Sequence, residues 1–124
     1  MPLFGGQSIG FPPILKFAND ALIEKIAPDI LLGKKRICLA VSEPYAGSDV
    51  AQIKTKAVFD EASQEWIVSG VKKWITGGMF SEYFTTLVQT SKGHAMMLVE
   101  RDDMHLSTRA LKTSYSMAAG TAWP

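Results

Sequence analysis

The spacing of apolar residues changes once along this chain, near Gly33. Before that point apolar residues recur every three or four positions, as in Leu22, Ile26 and Ile30, which predicts helices. After it they alternate with polar residues, a period that predicts strands. The sequence therefore predicts an α+β fold in which short N-terminal helices precede an antiparallel β-barrel or sandwich-like domain.

Two short helices are predicted in the N-terminal part. The pair Pro12–Pro13 suits a first helical turn, and Asn19 or Asp20 suits the N-cap of a second helix. Pro28 is expected to end or restart that second helix, because proline lacks the N–H that a helix interior needs. Gly33 is a candidate C-cap for it.

Five or six strands are predicted after the helices. Residues 53–59 and 65–68 form a hairpin through a turn at 60–63. This number of short strands with turn residues between them is typical of a sandwich or barrel. The other strands are expected over 37–41, 83–90, 95–100 and 106–111.

Charge and composition exclude several classes of function. Thirteen basic and twelve acidic residues leave a net charge of +1, so no basic face for nucleic acid is expected. No apolar run is long enough to span a membrane, and the N-terminus lacks the features of a signal peptide. An intracellular location is therefore expected, with the mitochondrion, the peroxisome and the cytosol left open. Cys38 lies in an apolar run and is interpreted as a buried, inert thiol.

Two short segments carry the chemistry of the chain. Residues 41–49 read VSEPYAGSD, and residues 72–78 read KKWITGG. Each places hydroxyl groups and backbone N–H groups on a turn beside an apolar strand, which suits a large, flat cofactor with polar edges. Trp74 and Thr76 are expected on one side of an extended strand, so that the indole can cover a ring while the hydroxyl donates to its edge.

Each segment also has a purely structural interpretation. The first suits a tight turn capped by Asp49, and the second suits a core tryptophan beside a turn. Glu43 and Asp49 are possible bases, but residues that flank a turn more often cap it or accept hydrogen bonds from backbone donors. His94 and His105 lack the spacing of metal ligands, so no metal site is assigned.

These segments, with the hairpin between them, resemble the middle domain of the acyl-CoA dehydrogenase family. The resemblance rests on residues 39–49 (LAVSEPYAGSD), 55–57 (TKA) and 69–76 (SGVKKWIT). It continues in residues 112–116 (KTSYS) and 118–121 (AAGT), which resemble a late stretch of the same domain.

The upstream helices resemble the end of the helical N-terminal domain of that family. The similar stretches are residues 10–15 (GFPPIL) and 26–33 (IAPDILLG). The resemblance thus implies that residues 1–33 end a helical domain. Residues 34–124 would form an incomplete middle β-domain that contacts FAD and acyl-CoA.

FAD is the cofactor that the resemblance implies. Ser42 would offer its hydroxyl and backbone to the pyrimidine edge of the flavin, and Ser48 would lie between the FAD phosphates and the thioester end of the acyl-CoA substrate. Thr76 would donate to flavin N5. Leu39, Ser42 and Gly77 depart from the family, which commonly has an aromatic residue, threonine and asparagine there. The implied FAD-contacting residues are Leu39, Ala40, Val41, Ser42, Gly47, Ser48, Trp74, Ile75 and Thr76.

The reaction that the resemblance implies removes an α-proton and a β-hydride from acyl-CoA, giving trans-2-enoyl-CoA and reduced FAD. The family takes its base from a C-terminal helical domain with no counterpart in this sequence. No catalytic residue is therefore assigned, and the chain is expected to be inactive alone. Residues 122–124 are interpreted as a truncation or a gene-model artefact.

The resemblance also implies a homo-oligomeric parent protein, while the electron acceptor is not identified by the sequence. Two alternatives stay open. One is a fragment of a flavin-dependent acyl-CoA oxidase or nitroalkane oxidase, and the other is a non-functional truncated β-domain.

Overall fold

The computed structural model describes residues 9–102, 104–111 and 119–123. The stretch 112–116, residue 118 and Pro124, which contribute to the sequence interpretation, lie outside the described residues. Among the described helices, none is long and apolar enough to cross a membrane.

Two helices form the N-terminal part, as predicted. Helix α1 spans Pro12–Phe17 and has proline in its first turn. Helix α2 spans Asp20–Leu31, and the side chain of Asn19 accepts a hydrogen bond of 2.9 Å from the Leu22 N–H, so Asn19 is its N-cap. The helix ends at Leu31 and its C-cap is Leu32, so the prediction of Gly33 as the C-cap is wrong by one residue. Gly33 follows the cap with a φ of +73° and donates its N–H to the Ile30 carbonyl at 3.1 Å.

The prediction that Pro28 ends or restarts the second helix is wrong, because Pro28 lies inside α2. Pro28 is exposed and so lies on the solvent side of the helix, where water can replace the N–H that proline lacks. Ile26 and Ile30 on the opposite face are fully buried, and their packing holds the helix together across the proline.

Eight strands are described, and the predicted hairpin is among them. The alternation of buried Ile53, Thr55 and Ala57 with exposed neighbours agrees with the period of two. The strands are β1 (Ile37–Ala40), β2 (Lys56–Asp60), β3 (Glu65–Ser69), β4 (Lys72–Thr76), β5 (Tyr83–Thr90), β6 (Gly93–Glu100), β7 (Ser107–Ala110) and β8 (Ala119–Trp123).

The strands form two sheets in a sandwich-like arrangement. One sheet has the order β1-β5-β2-β3, with β6 also paired to β5, and the other has the order β4-β8-β7. The predicted α+β class is confirmed, and the described strands do not close into a barrel. Most pairs are antiparallel, as predicted.

Strand β1 departs from the antiparallel pattern, because it runs parallel to β5. Strand β2 is also parallel to β5 where Lys56 pairs with Gln89. Parallel neighbours need a long crossover, and residues 41–82 supply one between β1 and β5. The continuous apolar run of β1 is typical of a strand that is covered on both faces.

Two apolar clusters meet at β1. Ile37 packs with residues of both helices and with Tyr83 of β5. Cys38 and Ala40 pack with Ile75 and Phe84 between the sheets. The interpretation of Cys38 as a buried thiol is confirmed, and burial raises its pKa to about 11 despite opposing contributions from Ser81 and Arg101. Strand β1 is thereby held between both clusters, and its carboxyl end leads into the first sequence segment.

Candidate functional site

The two sequence segments lie side by side in the structure. The Lys73 N–H of β4 donates to the Ser42 carbonyl at 2.9 Å. The Lys72 ammonium donates to the Val41 carbonyl, also at 2.9 Å. The chain leaving β1 is therefore fastened directly to β4, and Ser42 is brought next to the residue that precedes Trp74.

A buried carboxylate joins both segments to the start of β2. Glu43 accepts hydrogen bonds from the Lys54 N–H at 2.7 Å, the Thr55 N–H at 3.0 Å and the Thr55 hydroxyl at 2.6 Å. It also forms an ion pair of 2.9 Å with the Lys72 ammonium, and both side chains are about 5% exposed. The interpretation that Glu43 accepts from backbone donors is confirmed.

Hydrogen bonding fixes the ionisation of this pair. Burial alone would raise the pKa of Glu43, but the hydrogen bonds from Thr55, Lys54 and Lys72 outweigh it and lower that pKa to about 2. Burial lowers the pKa of Lys72, and the contact with Glu43 acts in the opposite direction. A carboxylate with so low a pKa and so many donors is a poor general base at neutral pH.

We expect this carboxylate to make folding sensitive to acid. Because its folded-state pKa lies below its ordinary value of 4.5, Glu43 contributes stability above pH 4.5 that is lost as the pH falls towards 2. The loss is on the order of 3 kcal/mol. Urea unfolding of the wild-type chain and of Glu43→Gln, measured between pH 7 and pH 2.5, tests this. The wild-type curve should fall more steeply below pH 4.5, and parallel curves would contradict the role.

The first segment forms a tight turn and then an exposed loop. Glu43 and Ala46 exchange two backbone hydrogen bonds of 2.8 and 3.2 Å. Gly47 and Ser48 follow with exposed positions. The alternative in which Asp49 caps the turn is wrong, since Asp49 precedes the short 3₁₀ helix Val50–Gln52 without a capping hydrogen bond from its side chain.

The backbone of Trp74 differs from the sequence prediction. We expected an extended strand, whereas Trp74 has a φ of +67° and lies where the pairing of β4 with β8 shifts between Lys72 and Ile75. Trp74 is 56% exposed, so the alternative of a core tryptophan is also wrong. A bulky residue at positive φ is strained by about 1–3 kcal/mol, and such strain is common where a side chain has a function.

The predicted contact residues divide into two groups by their exposure. Ala40 and Ile75 are buried among the strands, so only their backbone can face a ligand at the surface. Leu39, Val41 and Ser42 are partly exposed, while Thr76 is exposed. The convergence of Ser42, Ser48, Trp74 and Thr76 on one concave face stays a prediction.

A positively charged cleft adjoins both segments. It has a volume of about 480 Å³ and is lined in part by Tyr45, Lys54, Lys73 and Arg109. The Lys54 ammonium lies 6.0 Å from the centre of the Tyr45 ring, and the Lys73 ammonium lies 4.5 Å from that of Trp74. Cations and aromatic rings together suit a ligand that carries phosphates and a flat ring.

The sequence interpretation missed Lys72 as a buried residue. It lies at the first position of a strand whose alternation is broken at Trp74, so the period of two does not show which lysine of the pair 72–73 faces inward. A carboxylate that needs a partner, such as Glu43, is the signal that points to a buried lysine.

Comparison with known proteins identifies the family. A sequence model described as "Acyl-CoA dehydrogenase, middle domain" matches residues 38–123. The acyl-CoA dehydrogenase apdG of Emericella nidulans is 40% identical over 126 positions, which cover 98% of this chain and 29% of that protein. A cyclohexane-1-carbonyl-CoA dehydrogenase of Syntrophus aciditrophicus is 34% identical over 90% of this chain and 30% of that protein. The chain thus spans less than a third of these relatives.

Solved structures agree in fold. A probable acyl-CoA dehydrogenase from Mycobacterium abscessus superimposes with a TM-score of 0.88 at 30% identity, over 95% of this chain and 33% of that one. An acyl-CoA dehydrogenase from Bacillus anthracis, solved in complex with FAD, gives a TM-score of 0.89 at 27% identity over 97% of this chain and 21% of that one. The chain therefore belongs to the acyl-CoA dehydrogenase family, and its residues 38–123 correspond to the middle domain.

Proposed function

We propose that this chain supplies the flavin-contacting part of an FAD-dependent acyl-CoA dehydrogenase that converts acyl-CoA to trans-2-enoyl-CoA, as in fatty acid β-oxidation. The observation that carries the proposal is the exposed, strained Trp74, held beside Ser42 by the buried pair of Glu43 and Lys72. The proposed FAD contacts are Leu39, Ala40, Val41, Ser42, Gly47, Ser48, Trp74, Ile75 and Thr76.

The chemistry of these residues fits the cofactor. Trp74 offers a flat apolar wall, while the hydroxyls of Ser42 and Thr76 offer donors to the edge of a heterocycle. The cations of the neighbouring cleft, Lys54 and Lys73 among them, offer charge for phosphates. A relative solved in complex with FAD supports the same assignment.

The roles of the residues follow from that arrangement. FAD, when bound, supplies the acceptor for the hydride that leaves the substrate β-carbon. In the proposal Thr76 donates a hydrogen bond to flavin N5, Ser42 orients the pyrimidine edge, and Ser48 contacts both FAD and the acyl-CoA. Glu43 keeps these segments in register and takes no part in proton transfer, because its oxygens are occupied by donors.

The residue ranges of the domains belong to the same proposal. Residues 1–33 would end a helical domain and residues 34–124 would contribute to the middle domain. The two apolar clusters meet at β1 and support a close association of the helices with the sheet. A homo-oligomeric parent protein is likewise proposed.

We expect Thr76→Val to weaken FAD binding by the chain. Loss of one donor to a buried acceptor costs about 1–3 kcal/mol, or about 5- to 150-fold in the dissociation constant. Titration of the chain with FAD, followed by flavin fluorescence and by the visible spectrum, measures it. Thr90→Val, at the turn between β5 and β6, is the matched control and should bind as the wild type does. Equal dissociation constants for the two variants would contradict the role of Thr76.

A further inference from the structure

The side chain of Arg101, the residue that follows β6, contacts residues of three different parts of the fold. Its Nη2 donates to the Gly78 carbonyl at 2.6 Å, and its Nε donates to the Ser81 carbonyl at 2.7 Å. Its Nη1 lies 3.4 Å from the Thr108 hydroxyl of β7, and its guanidinium carbon lies 5.3 Å from the centre of the Phe84 ring. One side chain thus connects the turn after β4 to β5 and to β7.

The turn that Arg101 contacts is tightly wound. The Gly77 carbonyl accepts hydrogen bonds from the N–H groups of Phe80 and Ser81 at 3.1 Å and from the Ser81 hydroxyl at 2.9 Å. The Gly78 N–H donates to the Ile75 carbonyl at 3.1 Å. Gly78 and Ser81 are buried, and a buried carbonyl without a donor destabilises the fold. The guanidinium therefore satisfies two carbonyls that the winding of the turn directs towards it.

We propose that Arg101 is a positioning residue, whose guanidinium fixes the turn 77–82 and through it the side-chain orientation of Thr76. Thr76 directly precedes this turn. The hydrogen bond from the Gly78 N–H to the Ile75 carbonyl joins the residues on either side of Thr76. A loosened turn would therefore free the Thr76 side chain to change its rotamer, while the Thr76 backbone stays paired with Ala119 of β8. The consequence for FAD rests on the function proposed above, whereas the effect on the turn does not.

The geometry requires arginine and not merely a positive charge. A guanidinium presents several N–H donors in one plane, so it can reach two carbonyls at once while it lies against an aromatic ring. The ammonium of a lysine carries its donors on a single nitrogen at the end of a flexible stem, so it does not reproduce the separate positions of Nε and Nη2. Arg101→Lys therefore keeps the positive charge and tests whether the separate N–H donors of the guanidinium are needed.

The first experiment needs no cofactor. Amide hydrogen exchange and the side-chain scalar couplings of Thr76 are measured by NMR in the wild-type chain, in Arg101→Gln and in Arg101→Lys. Arg36→Gln, which removes the same charge from an exposed position, is the matched control. We expect the Gly78 and Ser81 amides to exchange about 10- to 100-fold faster in Arg101→Gln, the range for loss of charge-assisted hydrogen bonds. Thr76 should change from one side-chain rotamer to an average of several.

The amides of the β2–β3 hairpin serve as the internal reference. If they exchange faster by the same factor as the turn amides, Arg101 stabilises the whole domain and the proposal is overturned. Unchanged exchange at Gly78 and Ser81 overturns it as well. If Arg101→Gln does not fold, the same comparison of exchange rates is made with Arg101→Lys. The Gly78 and Ser81 amides should then exchange about 3- to 10-fold faster than in the wild type, because one of the two carbonyls keeps a donor.

The second experiment is a double-mutant cycle on FAD binding. We expect Arg101→Gln to weaken FAD binding about tenfold when Thr76 is present, and at most about twofold in the Thr76→Val background. Equal factors in both backgrounds would show that Arg101 does not act through Thr76 and would overturn that part of the inference. If the wild-type chain takes up no FAD, the proposed function of the chain fails, while the exchange and rotamer data still decide the role of Arg101.

Discussion

Lys72→Met should destabilise the chain by about 3–5 kcal/mol. The substitution leaves the Glu43 carboxylate buried without its cation, and breaking one partner of a buried pair has a cost of this size. It also removes the donor to the Val41 carbonyl, so β4 loses two of the three hydrogen bonds described between it and residues 41–43. Because small domains are stable by only about 5–15 kcal/mol, the variant should unfold at a much lower urea concentration.

The controls for this prediction separate charge from volume. Lys56→Met makes the same substitution at an exposed position of β2 and should change the free energy of unfolding by less than about 0.5 kcal/mol. Adding Glu43→Gln to Lys72→Met should recover part of the loss, since the amide carries no uncompensated charge. A loss below about 1 kcal/mol for Lys72→Met at neutral pH would mean that the pair contributes little to the fold.

The secondary structure was largely predictable because it follows from local periods. The N-cap of α2 and the hairpin of β2 and β3 depend on residues a few positions apart, and both were predicted correctly. The parallel pairing of β1 with β5 joins residues more than forty positions apart, and no local period encodes the choice of partner. Pro28 was misjudged for a related reason, since its tolerance depends on tertiary packing by Ile26 and Ile30.

The two segments of the candidate site could be predicted from the sequence, but the conformation and burial of their residues could not. The resemblance to the family indicated that residues 41–49 and 72–78 belong to one site. In the structure the carbonyls of Val41 and Ser42 accept hydrogen bonds from Lys72 and Lys73 of β4 and so join the two segments. The positive φ of Trp74 could not be predicted, because an L-residue at that conformation is locally unfavourable and must be imposed by its surroundings. The burial of Glu43 and Lys72 could not be predicted either, because it depends on how the two sheets pack together.

Strain at Trp74 and burial of Glu43 and Lys72 have a common consequence for the proposed site. The ion pair and the neighbouring hydrogen bonds fasten the start of β4 to residues 41–43, and Trp74 follows directly in β4. An indole held at the surface in this way is oriented before a ligand arrives, so less ordering is required on binding. Loss of the pair should therefore weaken FAD binding even in variants that still fold.

The polypeptide with this sequence should not turn over acyl-CoA, even when it binds FAD. Removal of the α-proton needs a positioned base, and loss of general-base assistance alone costs about 10²- to 10⁴-fold in rate. Among the described carboxylates near the two segments, Glu43 is occupied by its donors and has a lowered pKa, while Asp49 lies exposed at the start of a 3₁₀ helix. Glu43 therefore lacks access to a substrate, and no capping hydrogen bond positions the side chain of Asp49, so neither is a positioned base.

The assay combines the purified chain with FAD, an artificial electron acceptor and acyl-CoAs of several chain lengths. Reduction of the acceptor and consumption of oxygen are followed together, so that an oxidase would be distinguished from a dehydrogenase. We expect flavin uptake without sustained turnover in either measurement. Turnover at a rate typical of enzymes would show that a base lies within this chain, and Asp49→Asn and Glu43→Gln would then identify which carboxylate abstracts the proton. Absence of flavin uptake would instead favour a domain that binds the cofactor only within a larger protein, because the wall and edge donors on these two segments would be too few to hold FAD alone.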